Sequence, residues 1–140
     1  MRCLERGRVS MTGERIVLHF GELEVIGVLE ENLAARALAK CLPFTLRMQG
    51  AGIDYCGSLP FSLPYDRADV HCGWVDGDIN YCPSGSWFAV LFDDERNSQR
   101  YGDQLTIGHV EGTLDGLRQL SGSFDVLVDS LHKVDEQEES

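Results

Sequence analysis

The sequence of 140 residues lacks long hydrophobic runs. No apolar stretch approaches the roughly 18 residues that cross a bilayer, and no signal-peptide core follows Met1. We therefore expect no membrane partner and a cytoplasmic location. Basic residues are also scarce, with 12 lysines and arginines against 23 aspartates and glutamates. Because no basic stripe is available to neutralise phosphates, we expect no nucleic-acid partner.

The sequence lacks the paired cysteines of a disulfide framework or a zinc site. It has five cysteines, an odd number, and no two are spaced as Cys-x-x-Cys. Such a set, placed within apolar patterns, is typical of reduced thiols in a reducing compartment. The residues expected to be free are Cys3, Cys41, Cys56, Cys72 and Cys82.

Complete signatures of metal sites and catalytic centres are also missing. Residues 76–80 begin like a calcium-binding loop, but Tyr81 and Trp87 stand where that loop needs glycine and glutamate. The adjacent His71 and Cys72 would point to opposite faces of a strand, which is a poor arrangement for sharing a zinc ion. No nucleophile elbow, triad signature or phosphate-binding glycine loop is present. The sequence therefore predicts no metal, no cofactor and no assigned catalytic residue.

The sequence does contain a succession of short strand patterns. Residues 87–92 read Trp-Phe-Ala-Val-Leu-Phe, and so apolar a run predicts a strand buried on both faces of its sheet. Together with the turn, short strand and corner before it, this run makes residues 76–92 the centre of the predicted core. The other predicted elements are a hairpin over residues 15–29, strands over 44–49, 70–75, 105–110 and 124–131, a helix from Asn32 to Pro43, and a short helix over 113–120.

These elements predict one mainly β domain over residues 14–134, a barrel whose open ends are covered by the helices. Residues 1–13 are predicted to form a flexible arm, and residues 135–140 an acidic, disordered tail. The glycines and prolines of residues 50–64 predict a loop that wraps tightly over the barrel. The polar residues 93–103 predict an exposed excursion between strands.

Several short motifs follow one another in a recognisable order. They are Leu42-Pro43-Phe44-Thr45-Leu46, Tyr55 and Gly57, Leu59-Pro60, Leu63-Pro64, Gly77-Asp78-Ile79, Leu91-Phe92 and Ile107-Gly108. This ordered set resembles the cyclophilin-like family of small, mostly uncharacterised prokaryotic proteins, over about residues 15–131. The resemblance implies a closed antiparallel β-barrel of about eight strands with one longer and one short helix. It does not imply the activity of cyclophilins, because one fold serves many functions.

The motifs of prolyl isomerisation are absent from the sequence. Cyclophilins place an arginine beside a hydrophobic proline pocket within a Phe-His-Arg motif, and no such motif occurs here. The related small proteins usually have arginine after the Ile-Gly pair, where this chain has His109. We therefore expect no isomerase activity, and the favoured function is non-catalytic binding of a small molecule or peptide. The alternative is a divergent prolyl isomerase or another enzyme that uses the same cleft.

The resemblance also implies a shallow cleft on the outer face of the barrel, where a ligand would bind. Four aromatic residues are candidates for its walls, unless they belong to the core, and two polar residues are candidates for its contacts. An exposed His109 beside an open aromatic cleft would favour an active site, and a buried His109 would favour a structural role. The candidate residues are Arg47, Tyr55, Tyr81, Trp87, Phe92 and His109. The oligomeric state is left open by the sequence.

Overall fold

The computed structural model describes residues 11–131, and most of the predicted arm and the whole acidic tail lie outside this range. The backbone contains nine strands and two α-helices within it. The strands are β1 Met11–Phe20, β2 Leu23–Glu30, β3 Phe44–Gly50, β4 Asp54–Ser58, β5 His71–Cys72, β6 Asp78–Cys82, β7 Trp87–Leu91, β8 Asp103–Glu111 and β9 Ser123–Ser130; the helices are α1 Leu33–Lys40 and α2 Asp115–Gln119.

Eight of the strands form a closed antiparallel barrel. Their order is β2-β1-β9-β3-β4-β7-β6-β8, and a further pairing of β2 with β8 joins the two ends. The two-residue strand β5 pairs with β8 outside this ring. Closure removes the exposed strand edges that would otherwise invite aggregation. The prediction of a closed antiparallel barrel of about eight strands is confirmed.

The hairpin and the first helix form where the sequence predicts them. Gly21 lies in the β1–β2 turn with a positive φ of 62°, a conformation that glycine adopts without steric cost. Asn32 caps α1, because its side-chain oxygen accepts the Ala35 N–H at 2.9 Å. The Asn32 amide also donates to the Thr106 carbonyl at 2.9 Å. The same side chain therefore starts the helix and ties it to β8.

The interpretation of residues 50–64 as a loop is wrong at β4. Asp54–Ser58 pairs along its whole length with β7 and at two positions with β3. Tyr55 and Gly57 face inward and are buried, but a glycine leaves no apolar side chain to mark a strand pattern. Glycine is required at position 57, because an added Cβ would collide with the Arg47 carbonyl oxygen. Gly57 therefore obscures the strand pattern in the sequence, and the same residue allows β4 to cross β3.

Strand β7 is buried on both of its faces from Phe88 to Leu91, as predicted, but Trp87 at its start is 44% exposed. Phe88 and Val90 lie in the main core inside the barrel, each with 0% exposure. Ala89 and Leu91 point outward and form a second cluster with Trp74. Since β7 lies between β4 and β6, its backbone is paired on both edges as well.

The polar segment 93–103 is an exposed excursion between β7 and β8, as predicted, and it also covers Trp74 on the outer face of the barrel. Residues Glu95–Tyr101 form a 3₁₀ segment in which Ser98 is buried. The Ser98 hydroxyl accepts the Trp74 N–H at 2.8 Å, and the Trp74 indole donates to the Asp93 carbonyl at 3.1 Å. Tyr101 packs on Trp74 with 5.2 Å between ring centroids. The preceding prediction of a strand over residues 70–75 is confirmed only for the two residues of β5.

Within residues 11–131, no helix is long and apolar enough to cross a membrane. Cys41, Cys56 and Cys82 are free thiols, as expected. Cys72 is disulfide-bonded, so the expectation that every cysteine is reduced is wrong at that position.

Candidate functional site: an aromatic groove beside the β6–β7 turn

Three of the six candidate site residues belong to the barrel core. Tyr55, Tyr81 and Phe92 have exposures of 1%, 2% and 4%. Tyr55 and Phe92 pack against each other, with 6.3 Å between ring centroids. The Tyr81 hydroxyl accepts the Leu63 N–H at 3.0 Å, which fastens the segment after β4 to the barrel. These aromatic rings are therefore packed among core residues rather than along an open cleft.

Arg47 and His109 are accessible but lie apart from each other. Arg47 on β3 pairs with Asp125 on β9 at 3.0 Å. His109 on β8 stands opposite Asp78 on β6. Its side chain is 38% exposed, so it is neither buried nor freely solvated. The structure thus brings no two of the six candidates together except within the core.

The His109 ring is held in place by a buried carboxylate. Its Nδ1 lies 3.1 Å from Oδ1 of Asp78, whose side chain has 0% exposure. The other carboxylate oxygen of Asp78 accepts the Val75 N–H at 2.9 Å, which closes the turn before β6. A Cβ at Gly77 would lie 3.3 Å from His109 Nε2, so the turn packs closely on the ring. The segment that imitates a calcium loop is therefore a turn, as predicted, and its second aspartate orients a histidine.

A groove of about 710 Å³ lies beside the turn between β6 and β7. Its exposed aromatic surface comes from Trp87 and Tyr101, which are 44% and 47% exposed. We call it the aromatic groove. The lining residues are Tyr65, Arg67, Val70, Cys82, Pro83, Ser84, Trp87, Tyr101, Gly102 and Asp103.

Gly85 sets the position of the Trp87 indole at one wall of the groove. A Cβ at Gly85 would lie 2.5 Å from the indole Nε1, so only glycine lets the ring fold back over the turn. The Pro-Ser-Gly-Ser corner, residues 83–86, is therefore the support of an exposed aromatic side chain. Large exposed aromatic side chains are typical of binding surfaces, because they contribute much contact area at a small entropic cost.

The back of the groove connects to a buried polar chain. The Asn80 amide donates to the Gln104 side-chain oxygen at 2.8 Å, and the Cys82 thiol lies 3.7 Å from the same oxygen. Asn80 and Gln104 are 0% and 6% exposed. Burial, with a smaller contribution from Asp54, raises the pKa of the Cys82 thiol to about 11. The thiol is therefore protonated at neutral pH and unsuited to act as a nucleophile.

The stability of the folded protein depends on pH through Asp54. Burial raises the pKa of Asp54 to about 6, although a hydrogen bond with Cys56 lowers it. The folded protein thus holds this proton more tightly than the unfolded chain does. The stabilisation from the bound proton is complete below pH 3.8, the pKa of Asp54 in the unfolded chain. It is lost as the pH rises through about 6, the pKa in the folded protein.

Asp54→Asn is therefore expected to stabilise the protein above pH 7 and to have little effect near pH 3. The full pKa difference corresponds to about 3 kcal/mol, and partial exposure of the carboxylate to water reduces the expected gain to about 1 kcal/mol. Urea unfolding of both proteins at several pH values measures the difference. A difference in unfolding free energy between the two proteins that stays constant with pH would contradict the raised pKa of Asp54.

A second groove of about 520 Å³ is acidic, with Asp76, Asp93, Asp94 and Glu95 among its lining residues. Burial, followed by the charges of Glu95 and Asp93, raises the pKa of Asp76. Residues 11–131 contain no group of three or more His, Cys, Asp or Glu side chains that could hold a metal ion. We therefore assign no metal to this groove.

Comparison with known proteins agrees with the geometry of the barrel. The sequence profile of the cyclophilin-like family matches residues 18–129. The chain belongs to the cyclophilin-like family. The solution structure of a hypothetical protein from Archaeoglobus fulgidus is similar to this family member, with a TM-score of 0.67, 18% sequence identity, and coverage of 85% of this chain and 95% of that one. At such identity the likeness concerns the fold alone. No curated protein matches the chain.

The resemblance drawn from the sequence is thus confirmed, but the aromatic groove of this cyclophilin-like protein was largely missed. Trp87 is the single predicted site residue that lines it. Tyr101 and Asp103 fall in the segment interpreted as an exposed excursion, and Arg67 precedes a strand that is only two residues long. The signal available in the sequence was Tyr101, an aromatic residue near the end of an otherwise polar segment.

Proposed function

We propose that this cyclophilin-like protein is a non-catalytic binding protein whose ligand, a small molecule or short peptide, lies in the aromatic groove. The observation that carries the proposal is the pair of half-exposed rings, Trp87 and Tyr101, on one groove of about 710 Å³. That volume is within the range of pockets for drug-sized ligands. Burying such rings against a ligand is a large favourable term in binding.

The neighbouring chemistry favours binding over catalysis. The thiol that lines the groove has its pKa raised to about 11, and no histidine of residues 11–131 lines the groove. Arg47, the arginine among the candidate site residues, pairs with Asp125 between β3 and β9, outside the groove. Among residues 11–131 the groove therefore offers aromatic surface and charge but no activated thiol and no histidine base.

Replacing Tyr101 by alanine is expected to weaken ligand binding about tenfold or more. A loss of about 1.4 kcal/mol suffices for a tenfold change, and an aromatic ring contributes at least this much when a ligand covers it. Binding of small aromatic molecules and short peptides is followed by calorimetry, with a ligand found in a screen of the wild-type protein.

Leu127→Ala is the matched control for the Tyr101 variant. Leu127 is also a large apolar side chain, 38% exposed, and it lies on β9 outside the groove. Its replacement should leave the dissociation constant unchanged. Equal weakening by the two variants, or no effect of Tyr101→Ala on any ligand, would place the binding site elsewhere.

A further inference from the structure

The aromatic groove contains two opposite charges that do not pair. Arg67 and Asp103 both line it. Within residues 11–131 neither side chain forms a hydrogen bond or ion pair, with the other or with any other group. The groove therefore presents a free guanidinium and a free carboxylate next to Trp87 and Tyr101.

Asp66 and Arg100, the charged neighbours of the groove residues Arg67 and Tyr101, are engaged. The Asp66 carboxylate accepts the Ala68 N–H at 2.9 Å in the turn that carries Arg67. The Arg100 guanidinium lies over the Tyr101 ring, 5.8 Å from its centroid. Exposed opposite charges also pair across strands elsewhere, as in Arg15 on β1 and Glu111 on β8 at 3.0 Å. Arg67 and Asp103 remain unpaired, so both are available to a ligand in the groove.

We propose that the ligand of the groove is a zwitterion, either a free amino acid or a short peptide with both termini free. Its carboxylate would bind Arg67, its ammonium group would bind Asp103, and its side chain would lie against Trp87 and Tyr101. This inference rests on the proposed function and names the ligand class for the same groove.

The charge of the whole protein favours a zwitterion over a simple anion. The formal net charge is -11, and such a field opposes the approach of an anion to Arg67. A zwitterion has no net charge, so it reaches the groove without this penalty and satisfies both groups. Charge-assisted hydrogen bonds to carboxylate and ammonium are the stronger kind, and an ammonium group gains further from the face of a tryptophan ring.

The test compares three forms of one probe, the dipeptide alanyl-phenylalanine, by calorimetry. The N-acetylated form lacks the ammonium charge, and the C-terminal amide lacks the carboxylate. Each blocked form is expected to bind the wild-type protein about tenfold more weakly than the free dipeptide, since each loses one charge-assisted contact. Free phenylalanine is the fourth probe, and its affinity relative to the dipeptide distinguishes an amino acid from a peptide as ligand.

Two variants assign each end of the ligand to its partner. Arg67→Gln should bind the free dipeptide and its amide equally, and Asp103→Asn should bind the free and acetylated forms equally. Lys40→Gln, which removes an exposed charge at the end of α1, is the control and should retain both preferences.

The outcomes separate the two proposals. Equal binding of all three forms to the wild-type protein would overturn the zwitterion while leaving a binding groove in place. The zwitterion would likewise be overturned if other molecules bound the groove but no form of the dipeptide and no free phenylalanine did. Absence of any ligand for the groove would overturn both.

Discussion

Phe88→Ala is expected to lower the free energy of unfolding by about 3–5 kcal/mol, the typical loss for a fully buried phenylalanine. Phe88 has 0% exposure and points into the barrel from β7. Its ring meets Phe44 with 6.2 Å between centroids, and its backbone pairs with Tyr81 on β6 and Gly57 on β4. An alanine would leave a cavity at the point where three central strands meet.

The adjacent residue supplies the control for Phe88→Ala. Trp87 is on the opposite face of the same strand and is 44% exposed, so Trp87→Ala should cost about 1 kcal/mol or less. Urea unfolding of both variants gives the two free energies, with an unchanged slope as evidence that the folded state is intact. Similar losses for the two variants would mean that the inside and outside of β7 are assigned incorrectly.

Gly57→Ala is expected to cost about 3 kcal/mol or to prevent folding. Adding atoms to a packed interior typically costs 1–3 kcal/mol, and here the obstacle is backbone rather than a side chain that can rotate. The new Cβ would overlap the Arg47 carbonyl oxygen and lie 3.3 Å from the Met48 Cα. Because β4 is also paired along its whole length with β7, it cannot move away from β3 without disturbing that pairing.

Ser58→Ala is the matched control for Gly57→Ala. Ser58 is the next residue of β4 and is exposed, so its replacement should change stability by no more than about 0.5 kcal/mol. Thermal unfolding of the two variants provides the comparison. A Gly57→Ala protein that melts within about two degrees of the wild type, a shift well under 1 kcal/mol for a domain of this size, would show that the two strands do not cross so closely.

Sequence patterns predicted the barrel because most of its strands carry apolar side chains at regular spacing. Residues 87–92 and the hairpin around Gly21 are such patterns, and α1 follows from Asn32 and the apolar stripe behind it. Strand β4 was not predicted because it lacks such regularly spaced apolar side chains. Its inward-facing Gly57 has no side chain, and its closest contact is with the backbone of another strand, which no local pattern reveals.

The groove was harder to predict than the fold because its walls come from three separate segments. Arg67 lies in the turn before β5, Trp87 begins β7, and Tyr101 ends the 3₁₀ segment before β8. Only the folded barrel brings them to one place. Tyr55, Tyr81 and Phe92 look equally suitable in the sequence, yet their strands direct them into the core.

The central claim, that the aromatic groove is the binding site, is tested most directly by nuclear magnetic resonance of the labelled protein. Amide signals are followed during titration with small molecules and short peptides, including alanyl-phenylalanine. Binding in the groove predicts shifts concentrated in residues 65–70, 82–87 and 101–103, with those near His109 unchanged. Amide shifts that cluster around Gly77 and His109 instead would contradict the claim. So would a titration series in which none of the probes shifts a groove residue.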